Sequence, residues 1–461
     1  MSELEPRQKV NRPLLRRIAG NFGKLLSGRS AAAVFELTTI AVLTRSLSTT
    51  DFGQIVMIQT YVLMLRGLFN FKIADTIVRF GVPVHEANNA LSFRRLLRAG
   101  LFVEAVASGC SFVAAILVLP LAAKILDWQP DFVFATMIYS SVLLTSARGT
   151  PKGILRVFNR FDVLGIQTVV NPVLRLIGVL IAATLDAKVL LFVVVLAIGT
   201  FAGNVYLIVR GWMEFRRQVG GSIVRRPCLK GWREEFPELR SFIPIVYAQT
   251  NLDKLPKQAS TLLAGTLLSP AAAGMIRVAS EGTKILSKPG GLLRQALFPD
   301  LVRLWSRRTT SFRAVLLRIV LVTGLFGSVV IAASFFGGRI LLTSLLGPDY
   351  SVAAPLMSLF ILSATLEIVE LMLRAGGYAM GLAGKILQLH LISATLYLAV
   401  FVILTPRIGL IGPGIAACLS ALVYLVGISM VISRGIQETP LKAGKLSNDG
   451  LAIADPQHSN A

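Results

Sequence analysis

The sequence predicts an all-α polytopic membrane protein of about twelve transmembrane helices, arranged as two six-helix lobes with both termini in the cytoplasm. Three observations predict it. Hydrophobic residues fill 54% of the 461 positions, apolar stretches of bilayer length recur along the chain, and Lys and Arg gather in alternate connections. A spanning helix needs about 20 mostly apolar residues, and the bias of Lys and Arg towards cytoplasmic connections orients it. The formal net charge of +23 makes the placement of cations informative, because each must stand at the cytoplasmic face or in a polar interior.

Taken in order, residues 1–20 form a cytoplasmic tail. They are hydrophilic, carry Arg7, Lys9, Arg12, Arg16 and Arg17, and lack a small-residue cleavage site, so they do not read as a removed signal peptide. The N-terminal lobe, residues 21–210, holds apolar stretches near 25–47, 52–74, 99–123, 130–149, 162–184 and 188–209. Residues 211–240 mix Arg216, Arg217, Arg225 and Arg226 with Glu234, Glu235 and Glu238 and form a cytoplasmic linker between lobes. The C-terminal lobe, residues 241–434, holds stretches near 241–267, 271–293, 314–336, 352–373, 382–405 and 410–433. Residues 435–461 are rich in Gly, Ser, Asn, Asp and Pro and read as a disordered cytoplasmic tail.

Basic connections at 79–98, 148–160, 210–240 and 294–313 alternate with short ones that hold little beyond Arg45, Lys124, Lys188, Arg339 and Arg407. The short connections leave no room for a folded domain on the far side. Trp128, Trp212, Trp232 and Trp305 fall at span ends or in loops, as interfacial anchors do. Cys110 and Cys418 lie in apolar runs and Cys228 in a basic loop, which offers no disulfide or metal framework. Because the basic residues track alternate connections and form no single exposed module, nucleic-acid binding is disfavoured.

An internal repeat supports two lobes. Leu47-Ser48 followed by Gly53 and Ile55 recurs as Leu268-Ser269 followed by Gly274 and Ile276, at an offset of 221 residues. Duplicated halves are a transporter architecture with the substrate site between them.

Ionisable side chains inside a span are costly and usually face a cavity or a partner. The first span carries Arg29 and Glu36 on one helical face, and the second carries Gln59, Arg66 and Asn70. The fifth has Gln167, Asn171 and Arg175 beside Pro172. The seventh has Gln249, Asp253 and Lys257, and the eighth Arg277, Glu281, Lys284 and Lys288. These stripes concentrate on spans 1, 2, 7 and 8, corresponding members of the two halves, and predict a hydrated interior of net positive charge. Against this stand blander readings. Arg29 with Glu36, or Asp253 with Lys257, would equally serve as structural ties, and Lys24, Lys72 and Lys288 are close enough to span ends to snorkel. Glu367, Glu370 and Arg374 read as a local network, and His390 as structural. Pro172, Pro244, Pro256, Pro289 and Pro355 permit bends, either for rocking motions or as ordinary packing kinks.

The segment Asn21-Phe22-Gly23-Lys24-Leu25-Leu26, continued to the turn Leu47-Ser48-Thr49-Thr50-Asp51-Phe52-Gly53, resembles the start of polysaccharide biosynthesis flippases of the multidrug/oligosaccharidyl-lipid/polysaccharide (MOP) superfamily. Leu268-Ser269 to Gly274 is similar to that family's second lobe, and the resemblance reaches to about Arg434. It implies a Wzx-type, MATE-like protein of the bacterial inner membrane, without enzymatic activity. Such a protein flips an undecaprenyl-diphosphate-linked oligosaccharide by alternating access for O-antigen or exopolysaccharide synthesis. A diphosphate taken out of bulk water needs Arg or Lys donors, and Arg29, Arg66, Lys257, Arg277, Lys284 and Lys288 are the candidates. Glu36, Asp253 and Glu281 either pair with those cations in the empty site or carry a coupled proton or sodium ion. No cofactor or metal is expected, and a polysaccharide polymerase is a candidate assembly partner alongside the lipid-linked substrate and membrane lipids. Two rivals are a cation-coupled multidrug exporter, which should have an acidic, aromatic-lined interior, and a membrane glycan polymerase or ligase, which should have an extended outer or carboxylate-rich loop.

Overall fold

The structure, a computed structural model, describes residues 12–220, 239–306 and 311–449. Most of the 1–20 tail, most of the expected linker and the last part of the C-terminal tail lie outside the described residues. All regular structure in the described residues is helical. Among the described residues fourteen α-helices follow one another: α1 (Arg12–Ser46), α2 (Thr49–Leu68), α3 (Ile73–Glu86), α4 (Ala90–Ile125), α5 (Pro130–Ser140), α6 (Gly149–Val157), α7 (Phe161–Thr184), α8 (Val189–Val219), α9 (Leu239–Leu267), α10 (Pro270–Ser306), α11 (Ser311–Leu346), α12 (Ala354–Ala379), α13 (Ala383–Ile408) and α14 (Gly412–Asp449).

Every apolar stretch read from the sequence falls on helix, and several helices overrun theirs at the basic ends. α4 begins early enough to carry Arg94, Arg95 and Arg98, and α8 continues through Arg216 and Arg217. Arginine is a good helix former, so a helix need not stop where the hydrocarbon does. Eight helical segments among the described residues are long and apolar enough to cross a membrane. α1, α9 and α10 are as long as those but hold the polar stripes, which is why length and apolarity together do not select them. The lipid-facing side is plain on α11, where Leu321, Leu325, Phe335, Phe336 and Ile340 are each more than 70% exposed; an apolar face of that size requires a bilayer or a partner.

Two expectations need correction. The second stretch does not run unbroken to residue 74, because α2 stops at Leu68 and α3 restarts at Ile73. The break is held by Asn70, whose Oδ1 accepts the Lys72 N–H at 3.2 Å, and by Lys72 itself, which adopts left-handed backbone at φ 54°. The basic connections at 79–98 and 148–160 are also largely helical. α3 and α6 bury Ile73, Ile77, Ile154 and Val157 with Phe93 and Leu97 of α4 and Phe215 of α8 in one cluster. Their charged faces made them read as loops. Pro355 stands at the first turn of α12, where a missing N–H costs nothing, so it introduces no bend.

The helices form two compact units, Met1–Gly274 with Leu345–Gly347, and Met275–Ser344 with Pro348–Ala461. In the first, α1 packs along α7, which packs on α8. A Cβ at Gly28 would lie 2.5 Å from the Gly165 carbonyl oxygen, so the α1–α7 crossing is backbone against backbone. α9 belongs to this unit because it packs antiparallel along α2. At one end a Cβ on Gly53 would lie 1.9 Å from Pro270 O, further along Gly265 abuts Met57, and at the other end Tyr247 donates to Leu68 O at 2.7 Å. Gly274 meets Phe52 and Gly53, so two glycines at matching places in the sequence repeat touch. In the second unit, Leu301 and Phe312 join Val369, Leu373, Tyr424, Ile428 and Ile432 in the core between α10, α11, α12 and α14.

Candidate functional site

The stripe on α10 is the best defined. Residues 277, 281 and 284 lie on one face of a helix, and the Glu281 carboxylate is bridged from both sides. Arg277 Nη2 lies 3.0 Å from Oε1, and Lys284 Nζ lies 2.6 Å from Oε2. Glu281 is buried at 8% side-chain exposure, whereas Arg277 and Lys284 keep 39% and 33%. One carboxylate thus orders two cations, each of which keeps about a third of its side chain exposed. Gly282 and Gly290, on the neighbouring face, pack against Met357, Ile361 and Ile368 of α12, which fixes how α10 is turned. The Lys288 side chain lies outside the described residues.

In the first unit, the C-terminal end of α2 packs on α9. Gly67 of α2 lies close to the side chains of Asn251, Leu255 and Gln258 of α9, and Asn251 is buried. Tyr247 stacks on Phe71 at 5.4 Å while its hydroxyl donates to Leu68 O, closing the C-terminal end of α2. Arg66, next to Gly67, is half-buried, Arg29 and Lys257 are exposed, and Glu36 is half-buried. Arg29 and Arg66 have no ion-pair partner among the described residues, whereas Glu36 and Lys257 do interact. The Asp253 side chain lies outside the described residues. Arg277, Glu281 and Lys284 are therefore brought together in the second unit, whereas Arg29, Glu36, Arg66 and Lys257 lie on helices of the first.

Several polar groups escaped the sequence reading. Glu104 of α4 accepts the backbone N–H groups of Gly149 at 2.6 Å and Thr150 at 2.7 Å, capping α6 from a distant helix. A lone carboxylate inside an apolar run was the signal that could have found it. Asn204, fully buried on α8, accepts from Arg148 Nη1 at 2.7 Å and donates to Thr145 Oγ1 at 2.9 Å. Arg160 forks onto Asp162 and reaches Glu214, tying the start of α7 to the end of α8; hydrogen bonds to Asp162 first, then Glu214, raise its pKa above the ordinary arginine range. In the second unit Arg374 lies 5.1 Å over the Tyr424 ring and 3.4 Å from His390 Nδ1, so these residues form a packed polar cluster. No group of three or more His, Cys, Asp or Glu with metal-binding geometry occurs among the described residues.

Long apolar helices, several of them carrying charged stripes, define a multi-pass membrane protein. The chain is similar to an inward-facing multidrug resistance MATE family transporter of the MOP superfamily, with a TM-score of 0.73 over 88% of this chain and 96% of that one, at 14% identity. It is also similar to the lipid II flippase MurJ in an inward closed conformation, with a TM-score of 0.69 over 94% and 93%, at 9% identity. At such identities the likeness concerns the fold. The chain belongs to the polysaccharide biosynthesis protein family, whose model matches residues 18–305, a span that ends with α10 and so includes every stripe on α1, α2, α9 and α10. A relative is the inner membrane protein YghQ of Escherichia coli strain K12, 25% identical over 342 residues, which are 74% of this chain and 96% of that protein. The chain is a multi-pass protein of the bacterial inner membrane with the fold of these transporters.

Proposed function

We propose that this transporter flips an anionic undecaprenyl-diphosphate-linked oligosaccharide across the inner membrane by alternating access, supplying O-antigen or exopolysaccharide assembly. The observation that carries the reading is the Arg277–Glu281–Lys284 group, in which a buried carboxylate preorganises two cations that remain partly open. A diphosphate can take over the hydrogen bonds that Glu281 accepts in the empty state, because guanidinium and ammonium donors serve either anion. Arg29, Arg66 and Lys257 supply further positive charge from the first unit, and the lobes rock about the substrate. Glu36, Asp253 and Glu281 are the groups that could carry a coupling proton or sodium ion. A polysaccharide polymerase is the natural receiving partner. Membership of the polysaccharide biosynthesis family supports the substrate class, and the excess of cations on the stripes disfavours a drug-cation exporter. The test is Arg277→Gln and Lys284→Gln in the native host. Surface polysaccharide should be lost while the protein is made and inserted at normal levels; wild-type polysaccharide in both variants would rule the site out.

A further inference from the structure

The connection between α5 and α7 folds as α6, and its apolar face seats it on the start of α3 in the cluster of Ile73, Ile77, Ile154 and Val157. This packing decides where its charged face goes. Arg156 Nη1 bonds Asp75 Oδ1 at 2.7 Å, and Lys152, half-buried, lies within electrostatic reach of Arg156, Asp75, Lys72 and Arg29. Lys152 is thus surrounded by three cations, from α1, α6 and the α2–α3 break, and by one carboxylate, Asp75, which Arg156 already engages. Arg29, Lys72 and Lys152 have no ion-pair partner among the described residues. The first N–H groups of α6 are not open to an anion, because Glu104 occupies those of Gly149 and Thr150. The uncompensated charge is carried by side chains.

Lys72 adds an independent observation. Among described residues with positive φ, the others are Gly, Asn or Asp, types that tolerate left-handed backbone. A lysine there is strained where a glycine would not be, and strain of this kind clusters at ligand clamps. It turns the chain so that α3 starts beside α6, with Ala74 N only 3.1 Å from a Cβ placed on Gly149.

We propose that Lys72, Lys152 and Arg29, with Arg156 behind them, form a docking site for a phosphate-bearing group, the diphosphate of a polyprenyl-type lipid. The site captures the headgroup at the α3–α6 end of the first unit before it passes to the stripe residues. This rests on the flippase reading for its lipid, and on charge and geometry alone for the phosphate.

The test uses the purified full-length protein in detergent, titrated with farnesyl diphosphate, inorganic pyrophosphate and farnesol. Farnesyl diphosphate should bind saturably and farnesol should not. Lys152→Gln and Lys72→Gln should each weaken it about tenfold, the loss of one charge-assisted contact, and Lys152→Arg should bind within about twofold of wild type. Melting temperatures of the unliganded variants separate lost binding from misfolding. Unchanged affinity in both Gln variants, or no binding to wild type, overturns the docking site. Pyrophosphate bound as tightly as farnesyl diphosphate overturns the lipid source. Loss of polysaccharide in Arg277→Gln with unchanged binding in Lys152→Gln sinks this site and leaves the flippase reading standing; wild-type polysaccharide in both Arg277→Gln and Lys284→Gln with weakened binding in Lys152→Gln supports the phosphate site and rules out the α10 site.

Discussion

Gly53→Ala is the sharpest perturbation of the packing between α2 and α9. The added Cβ would lie 1.9 Å from Pro270 O, 2.3 Å from Pro270 C and 2.9 Å from Ala271 N, against an ordinary contact of 3.4 Å or more. All three obstacles are backbone, so no change of rotamer relieves them, and the α9–α10 turn must retreat by roughly 1.5 Å. Overpacking of a tight interior costs about 1–3 kcal/mol, and a rigid obstacle places this case at the upper end. In an unobstructed helix the same change would gain up to about 1 kcal/mol, so the sign itself is diagnostic. Gly274→Ala is the internal control. Its Cβ would come 2.9 Å from Phe52 Cδ1 and 3.3 Å from Gly53 Cα, and a ring can tilt away. Thermal unfolding in detergent should show Gly53→Ala lowered by several degrees, at about 2–4 °C per kcal/mol for domains of 150–250 residues, and Gly274→Ala by less. A Gly53→Ala protein that melts with or above wild type, or a larger loss at Gly274, would refute the close approach.

Two further outcomes follow from the buried carboxylates. Glu281→Gln removes the charge shared by Arg277 and Lys284; because both cations are over 30% exposed, solvent screens much of the loss, and about 1–2 kcal/mol is expected, read as a drop in melting temperature that Lys284→Met in the same chain partly restores. Glu104→Ala leaves two buried N–H groups without acceptors, at about 1–3 kcal/mol each, and should speed hydrogen exchange at Gly149 and Thr150 ahead of other α6 amides; Glu104→Gln should recover only part, since its amide offers one oxygen for two donors.

The fold class was legible because bilayer length and the alternation of Lys and Arg are properties of composition along the chain. The stripes on α1, α2, α9 and α10 were legible for the same reason, a charged residue in an apolar run being conspicuous wherever it ends up. α3 and α6 were not, because Arg79, Arg95, Lys152 and Arg156 marked their segments as connections while the apolar period at Ile73, Ile77, Ile154 and Val157 passed unnoticed. Lys152 fell inside one of these connections, although it lies within electrostatic reach of Arg29. Glu104 could have been flagged by its type, but its partners are main-chain groups some forty residues later, and no side-chain pattern announces them. The repeat-related Gly53 and Gly274 were visible as an offset of 221 residues; that they touch depends on how α2 lies along α9, which the offset does not contain.

Glu104 also bears on how this protein would answer a mutational scan. Its two acceptor oxygens are committed to peptide groups, so most exchanges of another residue's side chain leave these donors in place and cannot repair its loss. It would register as a hit inside an apolar stretch with few positions whose substitution mirrors or rescues it. A screen for paired suppressors would pass over the α4–α6 junction, although that junction holds Lys152 in place.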